Sequence, residues 1–248
     1  MYKPFRDYLE TEIFARFDLK SRSIPPGLEH NFSDRGKNAA TIQSWCYECE
    51  EFRKIRYTYI DAGESAQVFN SVFYPSHRYD LPLLGIDLLS FGKKKILIVI
   101  DFQPLFRESD YLAKYIEPMC EVRDRYDDLA QNLAMKFYDA NQYFSKHLLF
   151  AKTDAETVEN RVFPAYKDYL DLYWQLLDRA VPSDRSSDLQ RIEQAQKDYD
   201  QYSAERDPAS GLFSSYFGHE WSERFLYGFL FEDAVPQATE AVASSQVH

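Results

Sequence analysis

The chain has 248 residues, 45% of them hydrophobic, with only eight glycines and eleven prolines, so a single domain with a sizeable core is expected and little of the length is linker. The formal net charge of −11 at pH 7 argues against nucleic acid or an anionic membrane surface as the main partner, because both are bound through excess Lys and Arg. The longest apolar runs, such as "ILIVI" at 96–100, fall far short of the roughly 20 residues that span a bilayer.

The opening "MYKPFRDYLETEIFARF" sets apolar residues at helical spacing and predicts a helix over 5–19. It carries neither the apolar core nor the small-residue cleavage site of a signal peptide. The chain is therefore expected to stay where it is made, or to have lost a transit peptide already. "SRSIPPGLEHNFSDRGKN" is broken by prolines and glycines and reads as a loop. Strands are predicted at 39–49, 54–61, 66–74, 83–90 and 95–101, with "DAGES" and "FGKKK" as turns, which makes an antiparallel meander.

From residue 108 the period changes to that of helices. "ESDYLAKYIEPMCEVRDRY" comes first, then "TVENRVFPAYKDYLDLYWQLLDRA", in which Val158, Val162, Ala165, Tyr169, Leu172 and Leu176 share a face. Further helices are expected at 186–203 and 219–231, followed by a tail, 233–248, that lacks periodicity and reads as disordered. Strands followed by helices give an α+β domain over 1–232, most simply a central antiparallel sheet with helices packed on its faces. No long exposed apolar stripe or heptad seam is visible, so a monomer is expected.

Nucleotide, P-loop, serine-hydrolase and zincin motifs are absent. Cys46 and Cys49 form a "CYEC" pair, yet on a strand residues three apart point to opposite faces and no second ligand pair follows. The histidines, His30, His77, His147, His219 and His248, are scattered without ligand spacing. No metal is expected. The 19 tyrosines and 19 phenylalanines suit either a large aromatic core or a flat pocket for a planar ligand.

Acids on the strands carry the chemical interest. In "LPLLGIDLLSF", Leu84, Ile86 and Leu88 share one face while Gly85, Asp87 and Leu89 share the other. A carboxylate inside an apolar strand is either paired or holds a proton that it can give away. Glycine two residues before it leaves a gap where a flat ligand could approach the backbone. Asp101 at the end of the next strand reads as a turn or capping acid. Asp207, directly before a proline, reads as an N-cap with Pro at N1. Asn70 is polar in an apolar strand and must find hydrogen bonds, from a ligand or from neighbouring backbone.

"VFNSVFYPSHRYDLPLLGIDLLSFG", "VIDFQPL", "NQYFSKHLLF" and "YSAERDPASGLFSSYFGHEWSERFLYGFLF" together resemble the ferredoxin-dependent bilin reductases, and the likeness runs from about residue 39 to 232. The resemblance implies a three-layer α/β/α sandwich around an antiparallel sheet, with an open-chain tetrapyrrole bound between the sheet and the C-terminal helices. It also implies no flavin, nicotinamide or metal: electrons come singly from reduced ferredoxin and protein acids supply protons to a substrate radical. Asp87 matches the aspartate of the family's "G-x-D-L" strand and Asp207 that of its "E-x-D-P" segment.

Members that make phycocyanobilin carry histidine where this chain has Asn70 and glutamate where it has Thr58. Lacking both, the chain resembles the branch that reduces biliverdin IXα once, at the 15,16 double bond, to 15,16-dihydrobiliverdin for phycoerythrobilin synthesis. Asp87 is then the proton donor and Asn70 orients the bilin. A two-step enzyme making phycoerythrobilin, and a carrier without turnover, are the alternatives. A downstream bilin reductase is an expected recipient of product, and a cyanobacterial cytoplasm or plastid stroma the expected setting. Because ferredoxins are acidic, a local basic surface is needed, with Lys93, Lys94, Lys95, Arg53, Lys54 and Arg56 as its candidates.

Overall fold

The computed structural model describes residues 1–35, 39–92, 95–129, 142–207 and 209–236. Helix α1 (Lys3–Arg16) precedes two short strands, β1 (Lys20–Ser21) and β2 (His30–Ser33). The meander follows as β3 (Ala40–Glu48), β4 (Phe52–Asp61), β5 (Ala66–Pro75), β6 (Leu83–Phe91) and β7 (Lys95–Gln103). Each predicted strand is present with its ends shifted by at most two residues. Among the described residues one antiparallel sheet runs β1-β3-β4-β5-β6-β7-β8, with β2 also paired to β3. Its far edge, β8 (Leu149–Thr153), lies in "HLLFAKT".

The sequence reading left β1, β2 and β8 out. The first two gain their pairing from β3 and show no sustained alternation of their own. Strand β8 buries Leu149 and Ala151 while Lys152 faces out, a short period-2 signal directly ahead of the helical run that begins at Ala155.

One face of the sheet is covered by α1 and α5 (Phe163–Arg179). Phe5 of α1 meets Tyr166 of α5 edge-on at 5.1 Å. Tyr173 and Trp174 of α5 sit against Phe102 and Phe73 of the sheet, with ring centroids 5.1 and 5.8 Å apart. Such aromatic contacts add to a large apolar burial. Leu172, placed on the buried stripe by spacing, is only half-buried, whereas Val158, Val162, Ala165 and Tyr169 are fully covered. Ahead of α5, α4 (Ala155–Thr157) passes through a π turn at Val158–Val162, which lets the helix continue into Pro164. Helices α2 (Ser109–Tyr115) and α3 (Met119–Arg125) divide the first helical run at Pro118.

The opposite face carries α6 (Ser186–Arg206), α7 (Ser210–Phe217), α8 (His219–Phe225) and a closing π segment, Leu226–Leu230. This is the expected three-layer α/β/α sandwich. Helices α7 and α8 turn at Gly218, whose φ of +91° is a conformation that favours glycine. Residues 233–236, assigned to the tail by sequence, are held instead. Asp233 N–H donates to Asp200 and Val235 N–H to Gln201. The remainder of that predicted tail, 237–248, lies outside the described residues. Among the described residues no helix is long and apolar enough to cross a membrane.

The C-terminal layer is fastened to the sheet by buried cations of β4. Lys54 Nζ donates to the Phe229 carbonyl at 2.6 Å and Arg56 Nε to the Leu230 carbonyl at 3.0 Å, at the helix end where carbonyls lack intrahelical donors. Glu232 lies 3.3 Å from Lys54 and 2.6 Å from Arg22. Burial pulls the Lys54 ammonium down to about 8, with Glu232 opposing the fall. Lys54→Met should therefore lower unfolding stability by about 3 kcal/mol, the cost of leaving a buried partner uncompensated. Urea denaturation of both proteins checks this, and equal midpoints with equal slopes would show that Lys54 does not fasten the layer.

Candidate active site

Between the sheet and the C-terminal helices lies a cavity whose empty space, open mouth included, is about 840 Å³. Strand register brings its floor together. Thr58 on β4 pairs with Asn70 on β5, and Asn70 with Asp87 on β6, so the three fall in one row. Side chains alternate along each strand, and Val68, Val72, Gly85 and Leu89 join the same lining. Tyr199, Tyr202 and Arg206 of α6, Phe213 of α7 and Phe231 after the π segment form the roof.

Asp87, Asp207 and Asn70, which the sequence singled out, all line this cavity. A chain of hydrogen bonds links two of them to Arg56. The Arg56 guanidinium donates to Asn70 Oδ1, and Asn70 Nδ2 donates to Asp87 Oδ1. Burial raises the Asp87 pKa, opposed first by the Asn70 hydrogen bond and then by the Arg56 charge. Asp207 is pushed up to about 6 by burial, opposed by the Ala209 N–H, with the Asp87 charge adding to the rise. The two carboxyls thus feel one another across the cavity, and both hold protons more readily than an exposed aspartate does.

Three expectations are corrected here. Asp207 does not cap the following helix: it is the C-terminal cap residue of α6, and its carboxyl accepts from Ala209 N–H at 2.7 Å while α7 begins only at Ser210. Asp101 ends no strand. It lies within β7, fully buried, and accepts from both the N–H and the hydroxyl of Ser145. Its two oxygens hold a distant segment whose Phe144 forms part of the cavity wall. Lys54 and Arg56 are unavailable to a docking protein because both are buried. Arg53 is engaged with Asp233 and Gln196, while Lys93, Lys94 and the Lys95 side chain lie outside the described residues.

Gly85 also differs from expectation. The gap above it is filled by the Gln103 carboxamide, whose Oε1 lies 2.8 Å from where a Cβ would stand. Sequence reasoning missed Arg56 and Gln103 as lining residues, together with Tyr199 and Phe144. A cation two residues from Thr58 on a strand, read for its face, would have found Arg56. Thr58 itself faces Ser44 at 3.2 Å, hydroxyl to hydroxyl, and both are buried. The thiols of Cys46, buried on β3, and Cys49, beyond its end, are free.

This geometry agrees with the comparisons. The family described as ferredoxin-dependent bilin reductase matches residues 6–232. The chain belongs to that family. It is 72% identical over 241 residues to the 15,16-dihydrobiliverdin:ferredoxin oxidoreductase of Nostoc punctiforme, covering 97% of this chain and 99% of the relative. To the protein of the same name in Gloeobacter violaceus it is 71% identical over 238 residues, covering 96% and 98%. Its fold resembles the crystal structure of phytochromobilin synthase from tomato in complex with biliverdin, at a TM-score of 0.84 and 20% identity, covering 94% of this chain and 83% of that one.

Asp101 offers a pH test of the wall that it holds. Burial lifts its carboxyl to about 7 against the Ser145 hydrogen bonds. The folded protein then keeps a proton that the unfolded chain releases near pH 4, so this group's contribution to stability falls as pH rises from about 4 to 7. Unfolding free energy measured at pH 5, 6 and 7 should decline more steeply for the wild type than for Asp101→Asn, by up to about 1.4 kcal/mol per pH unit. Parallel slopes would mean that Asp101 is ionised in the folded protein.

Proposed function

We propose that this chain reduces biliverdin IXα at the 15,16 double bond to 15,16-dihydrobiliverdin, with electrons from reduced ferredoxin and Asp87 as the principal proton donor. The observation that supports this most is a cavity with apolar walls and two proton-holding carboxyls, in a chain 72% identical to an enzyme of that name. The reduction adds two electrons and two protons. Each electron arrives singly, so a bilin radical stands between the two transfers, and a proton must reach carbon before water can compete. Asp87 gives the first proton, and Asn70 keeps its carboxyl aimed at the bilin. Asp207, whose carboxyl titrates at about 6, gives the second.

No bound flavin, nicotinamide or metal takes part in this scheme, since ferredoxin delivers directly to the substrate. Arg206, an exposed lining residue near the end of α6 that also pairs with Glu205, suits the substrate's carboxylates. The small Ser44–Thr58 hydroxyl pair beside Asn70 provides no further acid in that row, which suits one reduction. The enzyme works as a monomer that passes its product to a downstream bilin reductase, in the cyanobacterial cytoplasm or plastid stroma where reduced ferredoxin is made.

Anaerobic mixing with biliverdin and a reduced-ferredoxin system, with chromatography of the final bilin, tests the assignment. Dihydrobiliverdin should form, and Asp87→Asn should bind biliverdin yet turn over roughly 10²–10⁴-fold more slowly, with a radical absorption that persists. Asp207→Asn should slow decay of the second intermediate by a smaller factor. Phycoerythrobilin as the wild-type product would replace the one-step reading with the two-step one. A bound bilin that never changes on adding reduced ferredoxin would leave a carrier.

A further inference from the structure

Gln103 closes the floor of the cavity from β7. It is buried, and its side chain crosses Gly85, where a Cβ would stand 3.0 Å from Nε2. Gly85 precedes Asp87 by two residues on the same face of β6, so the carboxamide lies on the floor beside the acid. Its orientation is fixed at one end. Tyr199 Oη, from α6, donates to Gln103 Oε1 at 2.7 Å. The phenol proton is therefore directed at Gln103, and the amide oxygen faces Tyr199. That leaves Nε2, with its two N–H donors, on the cavity side. Among the described residues Nε2 has no hydrogen-bond acceptor, and it is not sealed from the cavity.

An oriented donor without a protein acceptor, among largely apolar walls with a few placed polar groups, is what fixes the pose of a planar ligand. A bilin presents carbonyl oxygens on its terminal lactam rings. We propose that Gln103 is a substrate-binding residue: its carboxamide, oriented by Tyr199, donates a hydrogen bond to a lactam carbonyl of the bilin and sets the register of the tetrapyrrole over Asp87. This rests on the bilin-reductase reading given above. Glycine at 85 then has a definite purpose, since any side chain there would push the carboxamide off the floor.

Titration with biliverdin, followed by absorption, tests the assignment alongside the carbonyl stretch of the bound bilin in the infrared. Gln103→Leu should weaken binding by about threefold to tenfold, the span of a neutral hydrogen bond, and shift the lactam stretch to higher frequency. Gln103→Glu keeps the shape and the acceptor for Tyr199 but loses both N–H donors, so it should weaken binding at least as much; it serves as the test if the leucine variant fails to fold. Tyr199→Phe should weaken binding by a smaller factor, and by none when added to Gln103→Leu. Wild-type affinity and an unshifted stretch in folded Gln103 variants would overturn the assignment while leaving the enzyme reading intact. Failure of the wild type to bind biliverdin would overturn both.

Discussion

Two cations on one strand, Lys54 and Arg56, are buried together under the C-terminal helices. Taking them from water costs several kcal/mol each, and their mutual repulsion adds to it. The compensation comes from the carbonyls of Phe229 and Leu230, from Glu232, and from the ring faces of Phe229 and Phe231. Those acceptors exist only where the π segment ends and its last carbonyls turn toward the sheet. The helical layer can therefore settle in one place, and the cavity is the space left between it and the strands.

Arg56 serves both sides of that arrangement. While Nε holds the Leu230 carbonyl, another nitrogen holds Asn70 Oδ1 and so turns the Asn70 amide nitrogen toward Asp87. The docking of the last helix and the protonation of the acid on β6 are thus linked through one guanidinium. Burial alone would drive Asp87 far toward its neutral form, and Asn70 and Arg56 bring it part of the way back. A carboxyl balanced in this way can release a proton and take another. An apolar planar ligand in the cavity would exclude solvent from Asp87 and Asp207, which moves both toward the protonated form.

The five meander strands were legible because each combines alternation or a β-branched and aromatic run with turn residues at its ends. What stayed hidden depended on partners distant in sequence. Strands of two and four residues at 20–21 and 30–33 exist only by pairing with β3. Asp207 shows the same limit at the site. Asp-Pro is a good local signature of a helix start, but α6 runs up to residue 206 and leaves Asp207 at its end, so the acid faces the cavity. Lys54 and Arg56 were misplaced because composition treats basic residues as surface, whereas their carbonyl acceptors lie about 175 residues further along the chain. Asp87 and Asn70 were identified because a polar residue inside an apolar strand requires an explanation wherever the chain folds.

The spacing of Gly85 and Asp87 gains its meaning only in three dimensions. Two residues apart on a strand, they share a face, and the neighbouring strand brings Gln103 across the smaller of them. An acid alone on an apolar floor could protonate whichever atom lay nearest. Under the proposal for Gln103, the acid stands beside a donor fixed by a helix on the other side of the cavity, and the ligand is positioned before the proton moves. The atom that receives the proton is then selected by that second contact as well as by the acid.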